Sequence, residues 1–219
     1  ARATLRAEAN AIGIPLVEIS GSSQDFRETN SALAEAVLTG LADRGFPISD
    51  RSREVVSRTG LAGRFERMPD HRAVYLDGAH NRDKAQALAT LLEKRDLGKP
   101  TIGVVGLVGY RSALDVLAGL LPQIDHWVAT EPQVHGKQAL PVSEVASAGA
   151  ELGRPPACQA AQPRTALEAA IDLAGPDGTV VCAGSVYLAG NLRALWYSTE
   201  AIECQGTMWP PVCRSVGHT

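Results

Sequence analysis

Residues 72–81 read RAVYLDGAHN, and this stretch decides the fold. Its first part, residues 73–76, is a short apolar run of strand-forming side chains. Asp77 and Gly78 then form a turn-forming pair, and a segment with helical spacing begins at Asn81. The order predicts a strand, a tight polar turn and a helix.

The turn after this strand is a candidate binding site. In an open α/β sheet, ligands bind at the carboxyl ends of strands, where helix N-termini offer backbone N–H groups. We therefore expect Asp77 and His80 to meet a phosphorylated ligand there. The alternative is that Asp77, Gly78 and Asn81 are only turn and cap residues.

Strands and helices alternate beyond this point, which is typical of βαβ units. Apolar runs such as residues 102–105 suit strands that are buried on both faces of a parallel sheet. The sequence therefore predicts an α/β, Rossmann-like, mostly parallel sheet with helices on both faces. The predicted strands are 73–76, 101–106, 126–130, 157–160 and 179–183, with a possible edge strand at 201–204, and the predicted helices are 83–94, 112–120, 142–152, 164–174 and 186–197.

The residues before this sheet are predicted to be mainly helical. Residues 1–12 have helical character, 16–19 suit a short strand, and two helices follow, one capped by Thr29 or Asn30 and one capped by Ser49 or Asp50. Residues 59–72 suit a linker because they contain two glycines and a proline. We place the boundary inside it, giving domains 1–68 and 69–219.

The composition excludes several classes of partner. The chain has 219 residues, 45% hydrophobic and 21% charged, with a formal charge of -3 and a pI near 6.0. This charge gives no basis for nucleic acid or an anionic membrane as a partner. Its 4 widely spaced cysteines make no disulfide framework or zinc motif, so we expect reduced thiols and a cytoplasmic setting. Cys182, inside an apolar run, is expected in the core.

Three segments, in order and at similar spacing, carry a resemblance to a known family. They are LAGRFE at residues 61–66, LDGAHN at 76–81 and AGSVYL at 183–188. Each resembles its counterpart in folylpolyglutamate synthase/dihydrofolate synthase, a branch of the Mur ligase superfamily. TNSALA at residues 29–34 is similar to the helix start that precedes them there.

The resemblance implies an ATP-dependent ligase that adds L-glutamate to folate or dihydropteroate through an acyl phosphate. ATP and Mg²⁺ would be held between a central P-loop domain and a C-terminal Rossmann-like domain, which this chain would supply. The intact enzyme is expected to be a monomer that acts on small molecules.

The resemblance also implies roles for individual residues. Asn30, Arg64 and Asp77 would contact ATP, because a guanidinium is suited to phosphate oxygens. His80 and Asp77 would be catalytic. His80, Ser185 and Tyr187 would bind substrate, with Ser185 also able to cap a helix. The prediction depends on the side chains of Asp77, His80 and Ser185 converging on the same edge of one sheet; side chains on opposite edges, or packed inside, would count against it.

Departures from the family pattern limit what the chain can do alone. The sequence contains no GxxxxGK[ST] loop, so half of the ATP site is missing. Together with a start that is not Met, this suggests a C-terminal portion preceded by a short helical remnant of the central domain, inactive alone. Residues 106–112 replace a stretch that ends Asp-Lys-Asp in the family, which leaves the role of Tyr110 and Arg111 open.

Two other functions remain as alternatives. The chain could be a Rossmann-like module that binds a nucleotide or a small acid without catalysis. It could also belong to the peptidoglycan branch of the same superfamily, although the segments at residues 76–81 and 183–188 favour the folate branch.

Overall fold

The computed structural model of the chain describes residues 2–19, 26–58, 61–70, 72–109 and 111–203. The chain divides into two units, Ala1–Thr59 and Gly60–Thr219. Within the described residues, no helix has the length and apolar character that crossing a membrane requires.

The first unit is helical, as predicted. It contains α1 (Arg2–Ala11), α2 (Phe26–Ala42) and α3 (Asp50–Arg58). Ser49 Oγ accepts a hydrogen bond of 3.1 Å from the Ser52 N–H, so the predicted cap of α3 is confirmed.

Two expectations for this unit are wrong. Thr29 and Asn30 do not cap α2, because the helix already begins at Phe26 and both residues lie inside it. Residues 16–19 form no strand in the described structure. Leu16 and Val17 are exposed, so they pack against no sheet.

The second unit contains the predicted sheet. Its strands are β1 (Glu66–Arg67), β2 (Ala73–Leu76), β3 (Thr101–Val105), β4 (His126–Ala129), β5 (Cys158–Gln159) and β6 (Thr179–Ala183). They are ordered β1-β2-β6-β3-β4-β5. All neighbouring pairs are parallel except β1 with β2. The predicted α/β class with a mostly parallel sheet is confirmed.

The helices of this unit follow the strands as predicted. They are α4 (Arg82–Lys94), α5 (Ala113–Leu120), α6 (Val142–Glu151), α7 (Pro163–Ala174), α8 (Val186–Arg193) and α9 (Thr199–Glu203), with a 3₁₀ turn at Leu121–Gln123. The predicted edge strand at 201–204 is wrong, because residues 199–203 form α9. Residues 204–219, including Cys204 and Cys213, lie outside the described residues.

Helices cover both faces of the sheet. Along each strand, side chains alternate between the faces. Val74, Ile102 and Cys182 belong to a core cluster with residues of α7 and α8. On the other face, Trp127 packs against Gly149 of α6, and its Nε1 donates to the Arg154 carbonyl at 2.9 Å. Both faces of the central strands are therefore buried from solvent. Cys182 lies in the core, as the sequence predicts.

The unit boundary lies earlier in the chain than position 68/69. Glu66 and Arg67 pair with Leu76 and Tyr75 in the sheet. Met68, which is buried, donates its backbone N–H to the Val74 carbonyl at 2.9 Å. Residues 66 and 67, in the middle of the predicted linker, thus form an edge strand of the second unit.

Candidate functional site

The carboxyl ends of three neighbouring strands form one edge. We call this edge the strand-end rim, and it comprises residues 77–84, 106–109, 111–112 and 184–185 together with Arg64. In the register of the sheet, Leu76 of β2 pairs with Cys182 of β6, and Ala183 of β6 pairs with Val105 of β3. The segments carrying Asp77, His80 and Ser185 therefore leave the sheet at the same edge, as the sequence predicts for parallel strands.

Asp77 holds the turn together from inside. Its side chain is only 4% exposed. Oδ1 accepts the Ala79 N–H at 2.7 Å, and Oδ2 accepts the Phe65 N–H at 2.7 Å. The expectation that the side chains of Asp77 and Ser185 are not packed inside is wrong, because both are buried and both Asp77 oxygens accept backbone N–H groups.

Ser185 is the N-cap of α8. It is 2% exposed, and its Oγ accepts the Tyr187 N–H at 3.0 Å. The preceding Gly184 has φ of 107° and donates to the Ala79 carbonyl at 2.7 Å, which ties the β6 end to the β2 turn. Tyr187 is half-buried, and the Lys137 ammonium lies 5.1 Å from its ring centroid.

His80 is half-buried on the rim, and its ring tautomer follows from its contacts. Nδ1 lies 2.7 Å from the Gly78 carbonyl, which can only accept, so Nδ1 carries the proton. Nε2 then presents a lone pair, 3.4 Å from the Lys84 Nζ. Burial lowers the pKa of His80, and the charges of Lys84, Arg111 and Arg64 lower it further, whereas the hydrogen bond to Gly78 raises it.

Arg64 lies against the turn after β2. The Gly63 carbonyl accepts the Gly78 N–H at 2.7 Å and the Arg64 Nη1 at 3.3 Å. A Cβ on Gly78 would lie 2.7 Å from this Nη1, so a residue with a side chain would displace the guanidinium. The rim thus gathers positive charge from three separate segments around one neutral imidazole.

A buried ion pair supports the turn that carries Arg64. Arg193 Nε donates to Glu66 Oε1 at 2.9 Å and to Oε2 at 3.1 Å, and Gly63 N–H donates to Oε2 at 3.0 Å. The Arg193 guanidinium also lies over the Tyr197 ring, 4.2 Å from its centroid. Sequence reasoning missed this pair, although Glu66 lies in one of the segments that carry the family resemblance.

The structure does not test two of the residues that the sequence singled out. Asn30 is exposed on α2 of the first unit, so its contact with ATP stays a prediction. Tyr110 lies outside the described residues. Among the residues that the structure does describe, no three His, Cys, Asp or Glu side chains come together as a possible metal centre.

Sequence reasoning did not predict two adjacent cavities, each of about 500 Å³. The first lies between α5 and α6 and includes Arg111 in its lining; the second includes Lys137. Both share Gly109, Leu140 and Glu144. They are formed by the loops after β3 and β4 together with α5 and α6, and no local pattern encodes how these elements meet.

Comparison with known proteins connects this geometry to a family. Residues 63–186 match the model of the Mur ligase, glutamate ligase domain family. The dihydrofolate synthase/folylpolyglutamate synthase of Mycobacterium tuberculosis is 32% identical over 148 residues, which cover 61% of this chain and 30% of that protein.

Solved structures agree with the sequence comparison. The folylpolyglutamate synthase of M. tuberculosis, complexed with ADP and AMPPCP, matches with a TM-score of 0.62 and 32% identity over 71% of this chain and 37% of its own. The bifunctional enzyme of Yersinia pestis, with Mn, AMPPNP and L-glutamate bound, matches with a TM-score of 0.61 and 26% identity over 75% of this chain and 39% of its own. The chain thus spans about a third of the length of these relatives.

Proposed function

Because the chain belongs to the Mur ligase, glutamate ligase domain family, we propose that it is the C-terminal, nucleotide- and glutamate-binding part of an ATP-dependent folate:glutamate ligase. The proposed reaction phosphorylates the folate or dihydropteroate carboxylate, and the glutamate amine then attacks the acyl phosphate. The enzyme would act as a cytoplasmic monomer. Residues 1–59 would be the remnant of the central ATPase domain.

The observation that carries the proposal is the concentration of positive charge on the strand-end rim. Three cations from different segments of the chain each lower the pKa of His80; they are Arg64, Lys84 and Arg111. Phosphoryl transfer depends on cations that are positioned before the charge of the transferred group develops. This arrangement favours a phosphorylated ligand over a neutral one.

The residues of the rim suit different tasks. Arg64 would bind a phosphate oxygen, since a guanidinium donates two parallel hydrogen bonds. His80, neutral with its lone pair on Nε2, would accept a proton from the incoming amine or hydrogen-bond it. Asp77 and Ser185 would position the rim from inside, because their side-chain oxygens accept backbone N–H groups. Tyr187 would contact the substrate directly.

The fit to the two cofactors differs. The cations of the rim suit the phosphates of ATP, which supplies the phosphoryl group that activates the carboxylate. The described residues contain no cluster that suits Mg²⁺. We therefore place the metal ligands outside the part of the chain that the structure describes, in the proposed central domain.

The test compares the chain alone with a chimera. The chimera joins the N-terminal part of the M. tuberculosis relative to this chain in place of its matching region. ADP release is measured with ATP, Mg²⁺, L-glutamate and either tetrahydrofolate or dihydropteroate. We expect no turnover and weak ATP binding from the chain alone, and glutamate-dependent turnover from the chimera.

Variants of the chimera test the site. We expect His80→Ala and Arg64→Ala to reduce kcat/KM by about 100-fold, the size of typical acid–base and charge contributions. Lys94→Gln, at the far end of α4, is the control and should leave turnover unchanged. A folded chimera without glutamate-dependent ADP release would overturn the ligase assignment. Tight, Mg²⁺-dependent ATP binding by the chain alone would contradict the two-sided site.

A further inference from the structure

The loop between β4 and α6, residues 130–141, is fixed at both ends. At its start, Glu131 Oε1 accepts the Val142 N–H at 2.7 Å, which closes the neck of the loop. Near its end, the Gln138 carbonyl accepts the Gly109 N–H at 2.8 Å, which joins the loop to the segment after β3. We call this segment the β4–α6 loop. Its middle part can therefore shift only if a further contact is broken.

Asn191 of α8 makes that further contact through the backbone of Gln133. Asn191 Oδ1 accepts the Gln133 N–H at 2.8 Å, and Asn191 Nδ2 donates to the Gln133 carbonyl at 3.1 Å. The side-chain amide thus pairs with both backbone polar groups of one residue, as a residue of a neighbouring antiparallel strand would. A carboxylate could only accept, and an alkyl side chain could do neither. Asn191 therefore determines which residue of the loop lies beside it.

A second contact joins the loop to α8 four residues further along each segment. The Lys137 ammonium lies 5.1 Å from the centroid of the Tyr187 ring. Residues four apart lie on the same face of a helix, about 6 Å from each other along its axis, so Tyr187 and Asn191 share the face of α8 that meets the loop. The loop advances from Gln133 to Lys137 while α8 is followed backwards from Asn191 to Tyr187. It therefore runs toward the N-terminus of α8, which is the end at the strand-end rim.

We propose that Asn191 is a positioning residue of the ligase site. Its two hydrogen bonds set the register of the β4–α6 loop, and this register places Lys137 over the ring of Tyr187. The ring is thereby held in one orientation, so less ordering is needed when a substrate binds. The proposal rests on the proposed function, in which Tyr187 contacts the substrate, and the substrate of this part of the ligase is L-glutamate.

A second hydrogen bond of Gln133 supplies a matched control. Gln133 Nε2 donates to Gln162 Oε1 at 2.7 Å, which joins the same loop residue to the start of α7 rather than to α8. Gln162→Ala removes this hydrogen bond and leaves both contacts with Asn191 in place. If any loss of loop contacts had the same effect, Gln162→Ala and Asn191→Ala would behave alike.

The first experiment measures the loop by NMR in the chain itself, without ATP or substrates. Protons above the face of an aromatic ring resonate upfield, so the ε-methylene protons of Lys137 report its contact with Tyr187. Asn191→Ala should remove this upfield shift and speed the hydrogen exchange of the Gln133 amide about tenfold. Tyr187→Leu should also remove the shift, which identifies the ring as its source. Gln162→Ala should leave both signals unchanged.

The second experiment measures the kinetics of the chimera. Asn191→Ala should raise the KM for L-glutamate about tenfold and leave kcat and the KM for ATP unchanged, because only the binding of one substrate depends on the Tyr187 ring. Asn191→Gln keeps the donor and the acceptor on a longer side chain and should recover part of the affinity. Asn191→Asp cannot donate to the Gln133 carbonyl and should recover none.

A double-variant cycle tests whether Asn191 acts through Lys137. Lys137→Met removes the ammonium, keeps most of the length of the side chain and should raise the KM for L-glutamate as Asn191→Ala does. The double variant Asn191→Ala/Lys137→Met should then raise it no further than either single variant. Two independent effects would multiply to about 100-fold.

Three results would overturn the proposal. The first is an upfield shift of the Lys137 protons that Asn191→Ala leaves in place. The second is an equal change in the KM for L-glutamate in Asn191→Ala and Gln162→Ala, and the third is multiplied effects in the double variant. A chimera without turnover would count against the proposed function instead, and the NMR signals of the chain would still decide whether Asn191 positions Lys137 over Tyr187.

Discussion

The carboxylate of Asp77 accepts the backbone N–H of Phe65 at 2.7 Å, and Phe65 is a non-glycine residue with φ of 48°. The left-handed region of the backbone is unfavourable for a phenylalanine, so the surrounding structure must hold it there. The Phe65 ring stacks on Tyr75 with centroids 4.4 Å apart. The hydrogen bond and the ring stacking together join the turn before β1 to the end of β2, and so place Arg64 beside His80.

The first prediction concerns this buried carboxylate. Asp77→Asn replaces one acceptor oxygen with an amide group that cannot accept a backbone N–H. We expect the free energy of unfolding to fall by about 1–3 kcal/mol, the cost of a buried donor left without its partner. Urea unfolding of the chain measures it. Asp172→Asn, exposed on α7, is the control, and an equal loss in both variants would show that Asp77 has no special structural role.

The second prediction concerns the buried Glu66–Arg193 pair. Glu66→Ala leaves the Arg193 guanidinium buried without its carboxylate and removes the acceptor of the Gly63 N–H. We expect a loss of about 3–5 kcal/mol in the free energy of unfolding. The double variant Glu66→Leu/Arg193→Met removes both charges and should lose less than the single variant. Urea unfolding compares the two, and the reverse order would contradict the role of the isolated charge.

The third prediction concerns the pH dependence set by His80. Lys84→Gln removes a positive charge 3.4 Å from Nε2, so the pKa of His80 should rise. NMR titration of the imidazole measures this shift. Lys94→Gln should leave the pKa unchanged; if both variants raise it equally, the Lys84 contact is not its cause.

The same depressed pKa affects stability. The folded state binds the proton of His80 less well than the unfolded state, whose pKa is near 6.5. The contribution of His80 to stability is therefore complete above pH 6.5 and is lost as the pH falls toward the lowered value. Unfolding free energies at pH 7.5 and 5.5 should differ less in His80→Gln than in the wild type. An unchanged difference would contradict this linkage.

The fourth prediction concerns the close approach of β6 and β3. Gly184 has φ of 107°, and a Cβ there would lie 2.5 Å from the Gly106 carbonyl oxygen. Gly184→Ala should lower the free energy of unfolding by about 1–3 kcal/mol because of its backbone conformation. The steric clash of the new Cβ should lower it further. Gly190→Ala is the matched control on α8, where no atom lies within 4 Å of a new Cβ.

The control has its own expected sign. Alanine is favoured over glycine inside a helix by about 1 kcal/mol, so Gly190→Ala should stabilise the chain. Thermal unfolding of both variants gives the comparison. Equal effects of the two substitutions would show that the conformation of Gly184 does not matter.

Local patterns predicted the sheet because each strand is a short apolar run that ends in a turn. Residues 73–76 and 179–183 coincide with β2 and β6. Which strands lie beside β2 and β6 in the sheet could not be predicted in the same way. β1 has only two residues, neither of them apolar, and its pairing with β2 depends on the buried contacts of Glu66 and Met68.

The candidate site was predicted in position but not in detail. Because parallel strands end at the same edge of a sheet, the sequence predicts that the segments carrying Asp77, His80 and Ser185 meet there. Whether a polar side chain at a strand end turns outward or accepts backbone N–H groups depends on the turns around it. Asp77 is enclosed because the segment before β1 returns across it, and that return is a tertiary contact between residues 65 and 77.

The position of β6 has a consequence for synthesis on the ribosome. This strand pairs with β2 on one side and β3 on the other, yet among the strands that the structure describes it is the last to be translated. Until residue 183 leaves the exit tunnel, the nascent chain has two half-sheets whose inner edges lack a partner. Messages cut short before the codon for Thr179 would yield products with two open, apolar strand edges, the kind that pair with other chains and aggregate.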